Sequence, residues 1–289
     1  MILAFKVSVN GVLLACAKLK EKPEVELLFA NNKHEIKQKL KFSNVRDEVI
    51  YLGFDLKRAT SGLIIEILGK RPARMSRTDP APIKYIDLIL RNRDANPADL
   101  VRLLVSCCGK MEILYSKKTP LTRRYYRYMR DVSASWQRLC MLARPCFING
   151  ILTVRIDSRN DVGDIFCRWL AKKNPDVPVA VIHGKDAWVG NGKLVGLGGF
   201  IKTTAKFVDN LKGPEQDTGI KTDIEVEELW DIFYDSQMIE TRRNRTLAKK
   251  MQPKGVSDLY GMTKRDRYKV EHGIANCTLD RFMQEQNPR

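Results

Sequence analysis

The sequence predicts an α+β protein, rich in helix, with a small, mostly antiparallel sheet of two hairpins. Three observations predict it. Residues 120–143 carry apolar side chains at steps of three or four, the period of a helix with one buried face. After Pro145 the period becomes two, over 146–156 and again over 177–200, as in half-buried strands. Asn149-Gly150 and Gly190-Asn191-Gly192 interrupt those two alternating runs, and such residues favour the tight turns that join hairpin strands.

Taken in order, residues 1–9 read as a strand, with Leu3, Phe5 and Val7 on one face. Asn10-Gly11 is expected to break it, and 12–20 to form a short helix. Residues 49–54 read as a strand, and 56–68 have helical apolar spacing with Gly69 as the stop. A loop carrying Arg71, Arg74 and Arg77 follows, then helices over 82–90 and 97–105, with Gly109 as a breaker. In the long helix, Leu121, Tyr125, Tyr128, Val132, Trp136, Leu139 and Leu142 form the apolar face. Arg123, Arg127, Arg130 and Arg138 fall on another face. Beyond the first hairpin, 160–172 returns to helical spacing and 177–183 reads as a valine-rich strand. The second hairpin is expected from 185–189 and 194–200. Thr222 and Glu225 have capping-box spacing and open a helix that buries Val226, Leu229, Trp230 and Phe233. A basic helix over 240–251 and a last helix over 263–283 complete the chain.

With 289 residues, 44% of them hydrophobic, the chain has enough apolar surface for a core, which excludes disorder as its main state. Its formal net charge is +17. The excess sits in blocks: nine basic residues against Glu112 and Asp131 over 110–144, ten against Asp258 and Asp266 over 242–269, and six against Glu66 over 57–77. Ten acids against Lys212 and Lys221 fill 209–240. Such segregation implies distinct faces, and the basic excess implies a polyanionic partner. A membrane partner is not expected, because no run approaches the roughly 18 apolar residues of a spanning helix. Lys6 interrupts the apolar start after five residues, so no secretory signal is expected. Seven cysteines, an odd number with no CxxC pair, fit reduced thiols in a cytoplasmic protein. With only His34, His183 and His272 beside them, neither a structural zinc site nor any other metal or cofactor is expected.

Several chemistries fail on spacing. A P-loop needs a glycine five residues before its Gly-Lys and a hydroxyl residue after it. Ala187 and Leu194 stand at those places around Gly192-Lys193, so the glycines of 184–199 read as turn residues. Asp157, Asp161 and Asp164 are acids in and before a first helical turn, where the helix dipole favours them without any metal. Cys107 and Cys108 are adjacent on a helix and share no face. No Gly-x-Ser-x-Gly elbow occurs. His183 is the catalytic candidate, at a strand end before Gly184. The competing reading for it is a histidine bonded to backbone.

Three stretches carry a family resemblance. One is Glu228 to Ile239 with Trp230 and Phe233, followed by Arg242-Arg243-Asn244, Leu247, Met251 and Pro253-Lys254. Another is Gln137-Arg138 through Arg144, then Asn149 to Ile156 and Asn160-Asp161-Val162. The third is Trp169 to Lys173 with Val179 to His183. Together they resemble the family of probable DNA metabolism proteins that carries domain of unknown function 4130. The likeness covers 119–264, as the core of the chain. Residues 1–110 match loosely, as an α/β portion, and 265–289 are read as a C-terminal helix and tail. The chain departs from the family pattern at Gln137, Met141-Leu142, Pro145, Gly184 and Arg245. The resemblance implies DNA repair, because such domains occur fused to or beside uracil-DNA-glycosylase-like and radical-SAM repair proteins. It implies no reaction.

The expected function is therefore nucleic-acid binding in DNA metabolism, with DNA favoured over RNA. Arg123, Arg127, Arg130, Arg138, Arg144, Arg242, Arg243, Asn244, Lys250 and Lys254 would contact phosphates, and Tyr126, Trp188 or Tyr268 would stack on a base. The stripe on the long helix and Arg242, Arg243 and Lys250 would share one face. An ordinary solvated face is the competing reading of the stripe. Two alternatives stand beside binding: a glycosylase- or nuclease-type enzyme using His183, and a structural partner of a repair enzyme docking through the acidic helix 222–240.

Overall fold

Strand β1 (Ile2–Lys6) opens the chain, with Ile2, Leu3, Ala4 and Phe5 all at most 2% exposed. Alternate residues of a strand point to opposite faces, so both of its faces are covered, the signature of a strand inside a parallel sheet. A computed structural model of the chain describes residues 1–42, 48–55, 58–69, 80–143 and 145–213. They belong to two compact units: Met1–Gln137 with Arg159–Val162, and Arg138–Ser158 with the chain from Gly163 onward.

In the first unit β1 pairs in parallel with β2 (Glu26–Ala30) on one side and β3 (Val49–Leu52) on the other, in the order β2-β1-β3. This corrects the expected fold. The structure has two sheets, one of three parallel strands and one of five mixed strands, in place of a small antiparallel sheet of two hairpins. Helix α1 (Val9–Glu21) leads from β1 to β2, and α2 (Lys33–Phe42) from β2 to β3. Asn10-Gly11 does not break the chain but lies in the first turn of α1, whose N-cap is Ser8: its hydroxyl accepts from the Gly11 amide at 3.1 Å. Glycine is needed there because strand turns straight into helix. A Cβ on Gly11 would sit 2.1 Å from the Lys6 carbonyl oxygen. Neither β2 nor α2 was expected. Glu-Leu-Leu-Phe-Ala shows no alternation, and α2 opens on a reciprocal cap in which Asn32 accepts from the Glu35 amide and Glu35 from the Asn31 amide.

Helices α3 (Ser61–Leu68), α4 (Pro82–Leu90), α5 (Pro97–Ser106), α6 (Met111–Tyr115) and α7 (Pro120–Leu142) follow. Thr60 caps α3 and Asn96 caps α5 through their side-chain oxygens. Helix α1 packs on α5, where the Cys16 thiol reaches the Val101 carbonyl at 3.7 Å. Tyr125, Met129 and Val132 are the buried stripe of α7, and the Tyr125 hydroxyl donates to the Asn96 carbonyl at 2.7 Å.

The second unit contains β4 (Cys146–Ile148), β5 (Ile151–Ile156), α8 (Gly163–Lys173), β6 (Val179–His183), β7 (Asp186–Gly190), β8 (Phe200–Thr204) and α9 (Ala205–Asp209). The strands lie in sequence order. The hairpin β4-β5 turns at Asn149 (φ 52°) and Gly150 (φ 76°), the two positive φ values of a type I′ turn. Strands β5 and β6 pair in parallel, because α8 carries the chain back before β6 begins. That pairing merges the two expected hairpins into one mixed sheet. The second hairpin is β7-β8, and its far strand starts at Phe200 rather than Leu194. Residues Gly192–Val195 form a 3-10 turn instead. Asn191, at φ 53°, explains the detour: its amide nitrogen donates to the carbonyls of Ala171, Asn174 and Val177 at 3.1, 2.7 and 2.9 Å.

Asn191→Ala is expected to lower the unfolding free energy by about 1–3 kcal/mol, since side-chain hydrogen bonds to three half-buried carbonyls are lost and alanine resists positive φ. The check is urea unfolding, with a lower midpoint at unchanged slope. Asn191→Gly recovers the part due to backbone strain.

Candidate functional site

Helix α7 turns its apolar stripe inward, which leaves Arg123, Arg124, Arg127 and Arg130 exposed in the first unit. None of the four pairs with a carboxylate among the described residues. Arginines elsewhere do pair: Arg91, Arg102, Arg155 and Arg159 sit 2.6–3.3 Å from Asp87, Asp99, Asp209 and Asp94. Asp131 is the acid of α7, four residues from Arg127. It is engaged elsewhere, its Oδ2 accepting from the amides of Asn92 (3.2 Å) and Asn160 (2.9 Å). The four guanidinium groups outnumber that one carboxylate along two turns of helix, so the face carries a net positive charge. Arg138 is also exposed and belongs to the second unit.

The cluster behind Asp131 has no counterpart in the sequence reading. Asn160 is 1% exposed and Asn92 6%. Asn92 donates to the Asn160 side-chain oxygen at 3.1 Å, and Asn160 donates to the Ser135 hydroxyl at 2.9 Å. With its members satisfied, the cluster is structural: it ties Arg159–Val162 to α7 and to the α4–α5 turn. Its members lie 25–68 residues apart, so no local pattern announces them.

His183 ends β6 with its Nε2 2.8 Å from the Ser158 carbonyl oxygen, which makes that nitrogen a donor to backbone. No carboxylate bonds to it among the described residues. Asp164 stands in the first turn of α8, and no group of three metal-ligating side chains occurs among the described residues. Of the expected stacking residues, Trp188 is 4% exposed, and Tyr126 lies under the Lys117 ammonium at 3.8 Å from its ring centre. Arg144, Arg242, Arg243, Asn244, Lys250, Lys254 and Tyr268 lie outside the described residues, as does the acidic helix 222–240. The shared face with Arg242, Arg243 and Lys250 thus lies outside them too.

A cleft of about 420 Å³ opens at the carboxyl ends of β1 and β3 in the first unit. Lys6, Ser8 and Asn10 line it from the β1–α1 junction, Asp55, Arg58 and Ala59 from beyond β3, and Leu13, Ile64 and Ile83 from the helices. The Asn10 side-chain oxygen accepts from the Ala59 amide at 2.6 Å and so holds the two rims together. Finding this cleft requires knowing that the sheet is parallel, which the strand over 1–9 did not reveal.

Comparison with protein-family models finds no match for the chain, and comparison with the curated proteins finds none either. No helix among the described residues is long and apolar enough to cross a membrane.

Six described cysteines are free thiols. Burial pushes Cys16 and Cys167 up to about 12, and Cys107 up to about 11, whereas Cys108 and Cys146 are exposed. With iodoacetamide at pH ~8, where a thiol raised that far is roughly one part in ten thousand thiolate, Cys108 and Cys146 are expected to react in the native protein. Cys16 and Cys167 should react only after unfolding, as read by peptide mass spectrometry. Stability should also fall as pH rises from the ordinary thiol value of 9.0 toward 12, because the unfolded thiols ionise first.

Proposed function

We propose that the chain binds nucleic acid, DNA in preference to RNA, through the exposed arginine face of α7. The observation that carries this reading is the run Arg123, Arg124, Arg127 and Arg130, exposed and without carboxylate partners among the described residues. Guanidinium groups spaced along a helix match a row of phosphates, and each contact releases condensed counterions. The formal net charge of +17 adds long-range attraction. The face presents no aromatic side chain free to stack, because Tyr126 is covered by Lys117 and the other tyrosines of α7 pack on each other at 5.6 Å. Binding is thus backbone-directed and indifferent to sequence. The likeness of 119–264 to the DNA metabolism family points to repair as the setting, where a binding module of this kind positions a strand for a partner enzyme.

The test is fluorescence anisotropy of a duplex DNA across a salt series. Affinity should fall with salt at a log–log slope of about −0.9 per phosphate neutralised. In the double variant Arg123→Glu/Arg127→Glu, binding at ~100 mM salt should weaken more than about tenfold, and the slope should shrink by about two. An unchanged affinity and slope in a folded variant removes α7 as the binding face.

A further inference from the structure

The cleft at the end of the parallel sheet is a second site, separate from the arginine face. Strand order β2-β1-β3 means that the chain leaves β1 toward one side and later crosses to the other. The connections after β1 and after β3 therefore part company at the carboxyl ends of those strands. A parallel sheet has its crevice at such a reversal, because neighbouring connections diverge there instead of packing on one another. Here the crevice is real: about 420 Å³, within the range of pockets that hold small molecules. Gly53 lines it with its backbone close against α1: a Cβ on Gly53 would lie 2.8 Å from the Gly11 Cα.

The lining specifies a ligand class. Lys6 and Arg58 bring two positive charges, and neither pairs with a carboxylate among the described residues. The first turn of α1, which borders the cleft beside Ser8, contains no acid that would neutralise the dipole there. Asp55 is the one acid of the lining, and it stands with Arg58 beyond β3, on the other rim from the Lys6–Ser8 junction. A carboxylate is an acceptor for the hydroxyls of a sugar. Leu13, Ile64 and Ile83 supply an apolar wall. An anion, a sugar and an apolar group joined in one molecule of this size are the parts of a nucleotide.

We propose that this cleft binds a nucleoside phosphate, with the phosphomonoester against Lys6 and Arg58 and the sugar against Asp55. The same chemistry is presented by a free mononucleotide and by the 5′-phosphorylated end of a strand. The experiment is isothermal titration calorimetry of the full chain with adenosine 5′-monophosphate, adenosine and inorganic phosphate. The monophosphate should bind, and adenosine should bind at least about tenfold more weakly. Lys6→Ala and Arg58→Ala, both exposed positions whose folding is verified by circular dichroism, should each weaken the monophosphate about tenfold. Asp55→Asn should weaken it less. Arg123→Glu/Arg127→Glu should leave it unchanged, which separates this site from the α7 face. Competition by a short 5′-phosphorylated oligonucleotide, but not by its 5′-hydroxyl form, identifies the strand end as the source. Failure of both to compete identifies the free nucleotide. The proposal is overturned if the monophosphate does not bind, if adenosine binds as tightly, or if the Lys6 and Arg58 variants bind like the wild type.

Discussion

Burial of β1 on both faces is the constraint from which the first unit follows. A strand whose Ile2, Leu3, Ala4 and Phe5 are all shut away from water needs a neighbour at each edge and a layer on each side. The edges are met by β2 and β3. On one face Ala4 packs with Ile36 of α2 and with Val49 and Tyr51 of β3. Helix α1 also packs on β1, and α5 packs behind α1. Parallel neighbours force helical crossovers, and the crossovers to opposite edges open the cleft between them. Core and candidate ligand site are consequences of one strand.

Helix α7 shows the opposite economy. Its inner stripe is strongly buried, while its outer face sets Arg123 four residues from Arg127 and Arg127 three from Arg130. Like charges at those spacings cost an isolated helix roughly 0.2–0.5 kcal/mol a pair. The helix holds because Tyr125, Met129 and Val132 are anchored, and because Asp131 is held by Asn92 and Asn160. The one carboxylate of the helix thereby also orders the groups beneath it, while its charge stays at the surface. Surface charge and internal order are coupled through one side chain.

The second unit repeats the logic of the first with different edges. Strand β6 buries Val179, Ala180, Val181 and Ile182 and pairs in parallel with β5 but antiparallel with β7. The Asn191 amide, donating to three carbonyls around the end of α8, fixes where β7 stops. His183 closes β6 against the Ser158 carbonyl.

What the sequence determined by itself is what neighbours in the chain decide. The stripe of α7, the Asn149-Gly150 turn and the strands at β1 and β6 all rest on contacts within a few residues, and the local pattern records them. The outward arginines of α7 were legible for the same reason. Tertiary structure decided the rest. A strand buried on both faces shows no alternation to name its partners, and the backbone bonds that join β1 to β2 and β3, or β5 to β6, carry no side-chain code. The Asn92–Asp131–Asn160 cluster and the cleft between Lys6 and Asp55 unite residues from distant segments. Their chemistry exists only once the sheet has chosen its order.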